Sequence, residues 1–303
     1  MGFLSGRKIA NGTDLRIATI PRKIYGSKRD NGSVVIIGGS SAYHGAPVLA
    51  SLAVSQSLAS LRIGVGYVVL YVPESILDAA RKLSPNVIIR QFGKVNIGEG
   101  RLKEVSESLE KADVVIIGPG IGREKRSLEI SARIIDYVIK HDKKVVIDAD
   151  AIYSLRFLKK TSPKMLVTPQ KYEFEELSGN IPEDEENMEG RIVSAEDAAR
   201  ELGCCVLLKG HETIVTDGDR TRIILPRHSS LAIMGTGDVL SGMIGGYAAR
   251  GADMFRSGTA AAYLHAKIGD RLYAEKGNHI LASDVVDTIP EIIKKYDKEV
   301  DWA

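Results

Sequence analysis

The chain has 303 residues, 44% hydrophobic and 26% charged, which suffices for a large core and excludes the composition of a disordered segment. Its 41 basic and 39 acidic residues nearly cancel to +2, so no global field argues for nucleic acid or an anionic membrane as a partner. The only cysteines, Cys204 and Cys205, are adjacent, which excludes a disulfide framework as well as zinc and redox spacings and makes a reducing cytoplasm the expected compartment.

Residues 1–30 are locally basic, with Arg7, Lys8, Arg16, Arg22, Lys23, Lys28 and Arg29 against Asp14 and Asp30. Without interleaved aromatics they read as a basic N-terminal arm laid on the body or on a neighbouring subunit, not as a nucleic-acid arm. The first residues lack the charged leader and apolar core of a signal peptide, and no apolar run is long enough to span a bilayer. From residue 31 to 303 no Pro/Ser-rich linker interrupts the chain, so one domain is expected. Short β-rich runs at 33–37, 67–72, 86–90, 113–117, 144–148, 165–169 and 205–208 alternate with longer helical patterns. Several runs are apolar throughout, as strands covered on both faces must be. This predicts a three-layer α/β/α fold with a mostly parallel sheet. The adjacent cysteines then point to opposite faces of one strand. Two β-runs flank Asp217, Gly218 and Asp219, predicting a tight hairpin that adds antiparallel strands at one edge. The stretch 180–190 reads as a solvated acidic loop without calcium-ligand spacing. Ser194 and Asp197 after it have capping-box spacing. The remainder is helical, over 238–250, 256–274 and 284–296, with Ser283 as the N-cap of the last.

In open parallel sheets ligands bind outside the carboxyl ends of the strands, which directs attention to the turns there. "GGSS" (38–41) and "GPGIG" (118–122) are glycine-rich, "VVIDADA" (145–151) ends in two aspartates, and "LVTPQ" (166–170) ends in Thr168, Pro169 and Gln170. "GPGIG" lacks the G-x-G-x-x-G spacing, and Pro119 removes an amide a pyrophosphate would use, so a nicotinamide dehydrogenase is disfavoured. No Walker-type phosphate loop occurs either. The turn "MGTGD" (234–238) is different. Gly235, Thr236 and Gly237 supply flexible backbone whose amides can converge on an anion at the positive end of a helix dipole. Asp238 then follows at the helix start. As a dipole partner alone it contributes about 0.3–1 kcal/mol, which leaves the entropy cost of Gly235, Gly237, Gly242, Gly245 and Gly246 unexplained. A carboxylate beside an anion hole suits phosphoryl transfer, with Asp238 accepting a hydroxyl proton while the amides and a metal neutralise the transferred group. Asp148 and Asp150 offer oxygen ligands for Mg²⁺ through water, or one of them caps a helix beginning at Ala151. Lys209 either contacts phosphate or reaches solvent. Glu173 and Glu176 share a helical face and read as solvated.

The set "GGSSAYHGAP", "ADVVIIGPGIG", "VVIDADAI", "LVTPQKYEFEEL", "VLLKGHETIV" and "GTGDVLSGMI", in this order, resembles the ADP-dependent NAD(P)H-hydrate dehydratase branch of the ribokinase-like superfamily over roughly residues 30–295. The thirty residues in front are too short to be the epimerase domain that relatives often carry. The resemblance implies that hydrated NADH or NADPH is phosphorylated on its ring hydroxyl from ADP or ATP, with Mg²⁺, and then loses phosphate. It implies Asp238 as the base, Gly237 and its neighbours as the phosphoryl cradle, and Lys209, Gly210, His211, Glu212 and Thr213 as the nucleotide-binding turn. Ala46, Gly120, Gly122 and Gln170 fall at positions lining the substrate, and a homo-oligomer, a tetramer, is implied.

Two departures fall on the substrate side. Where the family usually has histidine after "TP", this chain has Gln170, which hydrogen-bonds but carries no proton or charge near neutral pH. The approach "LPRHSSLAIM" also differs from the usual short Asn/Pro/Gly-rich segment. His211 and His228 read as solvated loop residues. Gln170 keeps open a small-molecule kinase of the same fold that phosphorylates a sugar, vitamin or thiazole alcohol. A nucleotide-binding regulator without turnover is the third expectation.

Overall fold

A computed structural model describes residues 6–41, 62–83, 86–178 and 187–301. Ala46 and most of the acidic stretch 180–190 lie outside the described residues. The basic arm packs on the body. Its strand β1 (Arg7–Ile9) is followed by helix α1 (Gly12–Ala18) and the two-residue β2 (Arg22–Lys23). Asn11 begins α1 as a full capping box with Asp14, and Leu15 and Ala18 turn inward. Arg7 grips both carboxylate oxygens of Glu196 at 2.9 and 2.7 Å.

The parallel strands follow as β3 (Ser33–Ile37), β4 (Tyr67–Val72), β5 (Ile88–Gln91), β6 (Val114–Ile117), β7 (Lys144–Ile147), β8 (Met165–Val167) and β9 (Cys205–Leu208). β10 (Thr213–Thr216) and β11 (Thr221–Ile224) form the expected hairpin around Gly218, and β12 (Glu299–Val300) pairs with β2. The ten-stranded sheet runs β1-β11-β10-β9-β8-β7-β6-β3-β4-β5. The hairpin is therefore not the edge itself, because β1 pairs in parallel with β11 beyond it. Alternation sorts the strand residues onto two faces: Val34 and Ile36 belong to one core, Val35 and Ile37 to the other. Cys205 and Cys204 divide in the same way.

The described helices cover both faces. On the side of Val34, α1 is joined by α2 (Glu74–Leu83), α7 (Thr236–Ala249), α8 (Met254–Lys276) and α9 (Ala282–Ile293). On the side of Val35 pack α3 (Ser106–Lys111), α4 (Lys125–Lys140), α5 (Lys171–Ser178) and α6 (Met188–Leu202). Two caps differ from the sequence expectation. α6 begins at Asn187, whose side chain accepts from the Gly190 amide, which leaves Ser194 in mid-helix. α9 begins after Leu281, whose amide donates to Asp284 at 2.8 Å, so Ser283 is not its cap.

The chain switches direction across the sheet between β3 and β6, and the crevice there is held by glycines. The Gly39 amide donates to the Pro119 carbonyl at 2.9 Å, so the turns after the two strands touch. Gly118, at φ +136°, passes so close to β7 that a Cβ on it would lie 1.7 Å from the Asp148 carbonyl oxygen. Gly118→Ala is expected to destabilise the fold by roughly 3 kcal/mol or more in urea unfolding, since strain and clash combine. Gly203→Ala, at φ +58° with only a distant hydroxyl beside it, is expected to cost about 1–2 kcal/mol.

Candidate active site

Three strand ends and one helix start converge. β7 is followed by Asp148, β8 by Thr168, β9 by Lys209, and α7 opens with Thr236, Gly237 and Asp238. Asp148 is 1% exposed, a depth at which a carboxylate needs partners. It has three: Lys209 Nζ donates to Oδ1 at 3.0 Å, Thr168 Oγ1 donates to the same oxygen at 2.5 Å, and the Ser241 hydroxyl donates to Oδ2. Lys209 is thus pinned, with Glu173 Oε2 a further 3.9 Å away, and does not run free into solvent. Burial opposes its charge, but Asp148 and Glu173 outweigh that and hold its pKa above the ordinary lysine value.

Asp238 lies in the same field without a cation of its own. Burial pushes its pKa up to about 8, the charge of Asp148 adds to the rise, and Lys209 partly offsets it. The helix start beside it is open to an anion. Gly235, at φ +91°, occupies the N-cap without a side-chain cap, and the first recorded helical bond runs from Val239 to the Gly235 carbonyl. Among the described residues the amides of Thr236, Gly237 and Asp238 therefore have no acceptor. Lys209 Nζ lies 3.8 Å from the place a Gly237 Cβ would take, which puts a cation and free amides around one small volume. The Thr236 hydroxyl turns away, within 2.8 Å of the Leu231 carbonyl and 3.0 Å of the Ile233 carbonyl, and steadies the approach to the turn. His265 of α8 stands behind this turn. Burial pushes its pKa down to about 4, against a backbone hydrogen bond with Thr236, so it is a neutral neighbour.

The two aspartates of "DADA" separate. Between them Ala149 takes φ +48°, a left-handed conformation uncommon outside glycine, and Asp150 serves another turn. It accepts from the Gly122 amide at 3.2 Å and from Arg123 Nε at 3.0 Å. Gly120 and Gly122, at φ +67° and +75°, complete that turn. Every oxygen of Asp148 and Asp150 thus accepts a hydrogen bond, and the two carboxylates face different neighbours; among the described residues no group of three or more His, Cys, Asp or Glu is arranged to hold a metal directly. The capping alternative fails as well, since Asp148 flanks the 3₁₀ helix Ala149–Phe157 without a side-chain capping bond.

The turn 209–213 lies beyond β9. Gly210 is needed there by a residue the sequence did not single out: a Cβ would lie 2.1 Å from Arg191 Nη2. Arg191, 3% exposed, donates to the Glu212 carbonyl at 3.0 Å and to Glu212 Oε2 at 3.3 Å. Glu212 therefore anchors the turn, with His211 Nδ1 3.0 Å from its other oxygen. Thr213 opens β10 opposite Ile224. Glu173, read from sequence as solvated, accepts from the Gln170 amide at 2.7 Å, and burial raises its pKa although Lys209 lowers it. The Gln170 side chain is exposed. Two signals could have found the missed residues: Glu173 stands at capping distance from Gln170, and Ser241 lies three residues after Asp238 on one helix.

These elements define the ribokinase-like fold. A ribokinase-like superfamily protein of Enterococcus faecalis superposes with a TM-score of 0.84 at 24% identity, covering 98% of this chain and 99% of that one. More specifically, the NAD(P)H-hydrate dehydratase family model matches residues 34–291, and the chain belongs to that family. The chain is 31% identical over 279 residues to the ADP-dependent (S)-NAD(P)H-hydrate dehydratase of Nitrosopumilus maritimus, covering 91% of this chain and 93% of that protein. It is also 31% identical over 283 residues to a bifunctional NAD(P)H-hydrate repair enzyme of Pyrobaculum aerophilum, covering 93% of this chain but 54% of that protein. The chain thus spans about half the length of such bifunctional relatives.

Two outcomes are expected. Lys209→Met strands the Asp148 carboxylate without a cation and should cost roughly 3–5 kcal/mol in denaturant unfolding. For Asp238 the folded-state pKa is raised, so the folded protein keeps a proton that the unfolded chain releases, and stability falls as pH rises from about 4 to about 8. Asp238→Asn lacks this loss. Its stability advantage over wild type should grow between about pH 5 and pH 8, to the order of a few kcal/mol.

Proposed function

We propose that the chain catalyses nucleotide-dependent dehydration of hydrated NADH or NADPH. The observation that carries the reading is the placement of Asp238 at an uncapped helix start, within the field of Lys209 and beside the free amides of Thr236 and Gly237. Asp238 accepts the proton of the ring hydroxyl as its oxygen attacks the terminal phosphoryl group of ADP or ATP. The P–O bond to the leaving nucleotide breaks, and AMP or ADP departs. The ring nitrogen's lone pair then expels phosphate to leave a ring iminium, and loss of a proton from the neighbouring ring carbon to the departing phosphate or to water forms the C=C bond and restores the reduced nicotinamide. The amides and Lys209 hold charge that moves onto the phosphoryl oxygens. Lys209, Gly210, His211, Glu212 and Thr213 form the nucleotide side; Gly120, Gly122 and Gln170, with Ala46, form the substrate side.

Magnesium is assigned to the nucleotide and not to Asp148 and Asp150: Mg²⁺ keeps several waters and is commonly carried by phosphate oxygens. Residues 31–303 act as the catalytic domain and residues 1–30 as its arm, in a cytoplasmic homo-oligomer, a tetramer. The exposed Gln170, in place of an imidazole, supports the second reading, a kinase that stops after phosphorylating a small alcohol.

The test is recovery of reduced-nicotinamide absorbance from NADPH hydrate with Mg²⁺ and either ADP or ATP. Recovery that requires nucleotide and disappears in Asp238→Asn is the expected result. For the wild type kcat/KM should rise with pH toward a plateau above about pH 8, because the base must be unprotonated. Absence of recovery in protein that binds nucleotide favours the kinase.

A further inference from the structure

At the opposite end of α7 from Asp238, a cavity of about 280 Å³ opens between the arm, the end of α7 and the end of α9. Tyr247 and Arg250, which line it, lie nine and twelve residues beyond Asp238, so about 14–18 Å of helix separates the two places. The volume is near the lower end of small-molecule pockets. It has room for a phosphorylated sugar and not for a dinucleotide.

Charge and polarity in its lining are unbalanced. Arg22, Arg62, Arg250, Lys294 and Lys298 face only two carboxylates, Asp297 and Glu299. Among the described residues Arg22, Arg250, Lys294 and Lys298 form no ion pair, and Arg62 has only a partner at 3.9 Å, Asp287. The guanidinium of Arg250 bonds neutral acceptors, Asn31 Oδ1 at 2.5 Å and the carbonyls of Ile20 and Pro21 at 2.8 and 3.2 Å. Arg22 likewise donates to the Gly64 carbonyl at 2.8 Å. Burial lowers the pKa of Arg250 and the nearby charge of Arg22 lowers it further, while Asp297 only partly compensates. Beneath these cations Tyr247 is 1% exposed, and burial keeps its phenol neutral although the neighbouring Thr19 hydroxyl lowers its pKa. Thr19 itself donates to the Leu15 carbonyl at 2.9 Å. Ile63 and Pro290 supply an apolar wall.

We propose that this cavity is a second binding site, for a small phosphate ester, in which the unpaired cations hold the phosphate and the apolar wall takes the organic part. A dianion answers the excess positive charge. The inference stands on residues away from the catalytic centre and does not depend on the reaction assigned there.

The test is calorimetric titration of ribose 5-phosphate into the full chain, with the α7 start saturated by a non-hydrolysable ATP analogue. One-to-one binding is expected, with ribose silent and inorganic phosphate weaker than the ester. Lys294→Glu combined with Lys298→Glu changes exposed residues and should weaken the ester at least about tenfold, and Arg62→Ala, which removes one lining cation, about threefold to tenfold. No binding of the ester, or an affinity unchanged in both variants, overturns the site. Equal affinity for inorganic phosphate and ester overturns the role of the apolar wall.

Discussion

The ion pair between Asp148 and Lys209 is the constraint on which the centre rests. Removing both charges from water is costly, and Coulomb attraction alone rarely repays it. The cost is offset here by two hydroxyls, from Thr168 and Ser241, that complete the carboxylate's shell. Each partner comes from a different element, so one pair aligns the ends of β7, β8 and β9 with α7. The same charges set Asp238. Three carboxylates, Asp148, Glu173 and Asp238, share the single lysine, and the one with least help holds its proton up to about pH 8. In the proposed reaction the nucleotide would bring still more negative charge, which the free amides of the helix start and a cation travelling with the phosphates would answer.

The position of α7 follows from β7. Asp148, just past the end of that strand, takes the Ser241 hydroxyl near the start of the helix. Lys144, at its beginning, donates to the carbonyls of Ala248 and Ala252 at 2.7 and 2.8 Å, at the helix's other end. A lysine there suits the negative end of the dipole as the open amides suit the positive one. One strand therefore clamps a nearly all-buried helix at both ends. The small residues allow the clamp to close: a Cβ on Gly245 would come within 2.5 Å of Ile116 Cδ1. This accounts for part of the glycine cost that a dipole-balancing aspartate could not explain. The remainder belongs to Gly235, whose positive φ turns the chain into the helix.

The layers were legible because burial on both faces leaves an apolar signature that β3, β6 and β9 carry in full. The hairpin was legible because Asp217, Gly218 and Asp219 demand a tight turn. The arm's place in the sheet was not, since a three-residue strand such as β1 has no periodicity to detect. Helix caps were read from side-chain type alone, whereas α6 begins after Asn187 and α9 after Leu281, whose amide donates to Asp284. At the site, the glycine turn and Asp238 announced themselves by composition. The partners of Asp148 did not, because Thr168, Ser241 and Lys209 are brought together only by strand order, and a buried lysine looks in sequence like a strand-end lysine. "DADA" misled for a related reason. Adjacent aspartates suggest a shared ion, but the left-handed Ala149 turns them to different neighbours.

The same electrostatics bears on Gln170. Its amide is fixed by Glu173, and Glu173 lies 3.9 Å from the lysine that Asp238 depends on. A histidine at this place would bring a group able to carry positive charge into a centre with one cation and three carboxylates. Glutamine keeps the hydrogen-bonding reach and withholds the charge. Less positive charge beside Glu173 favours its protonated form, the direction in which burial already moves that carboxyl.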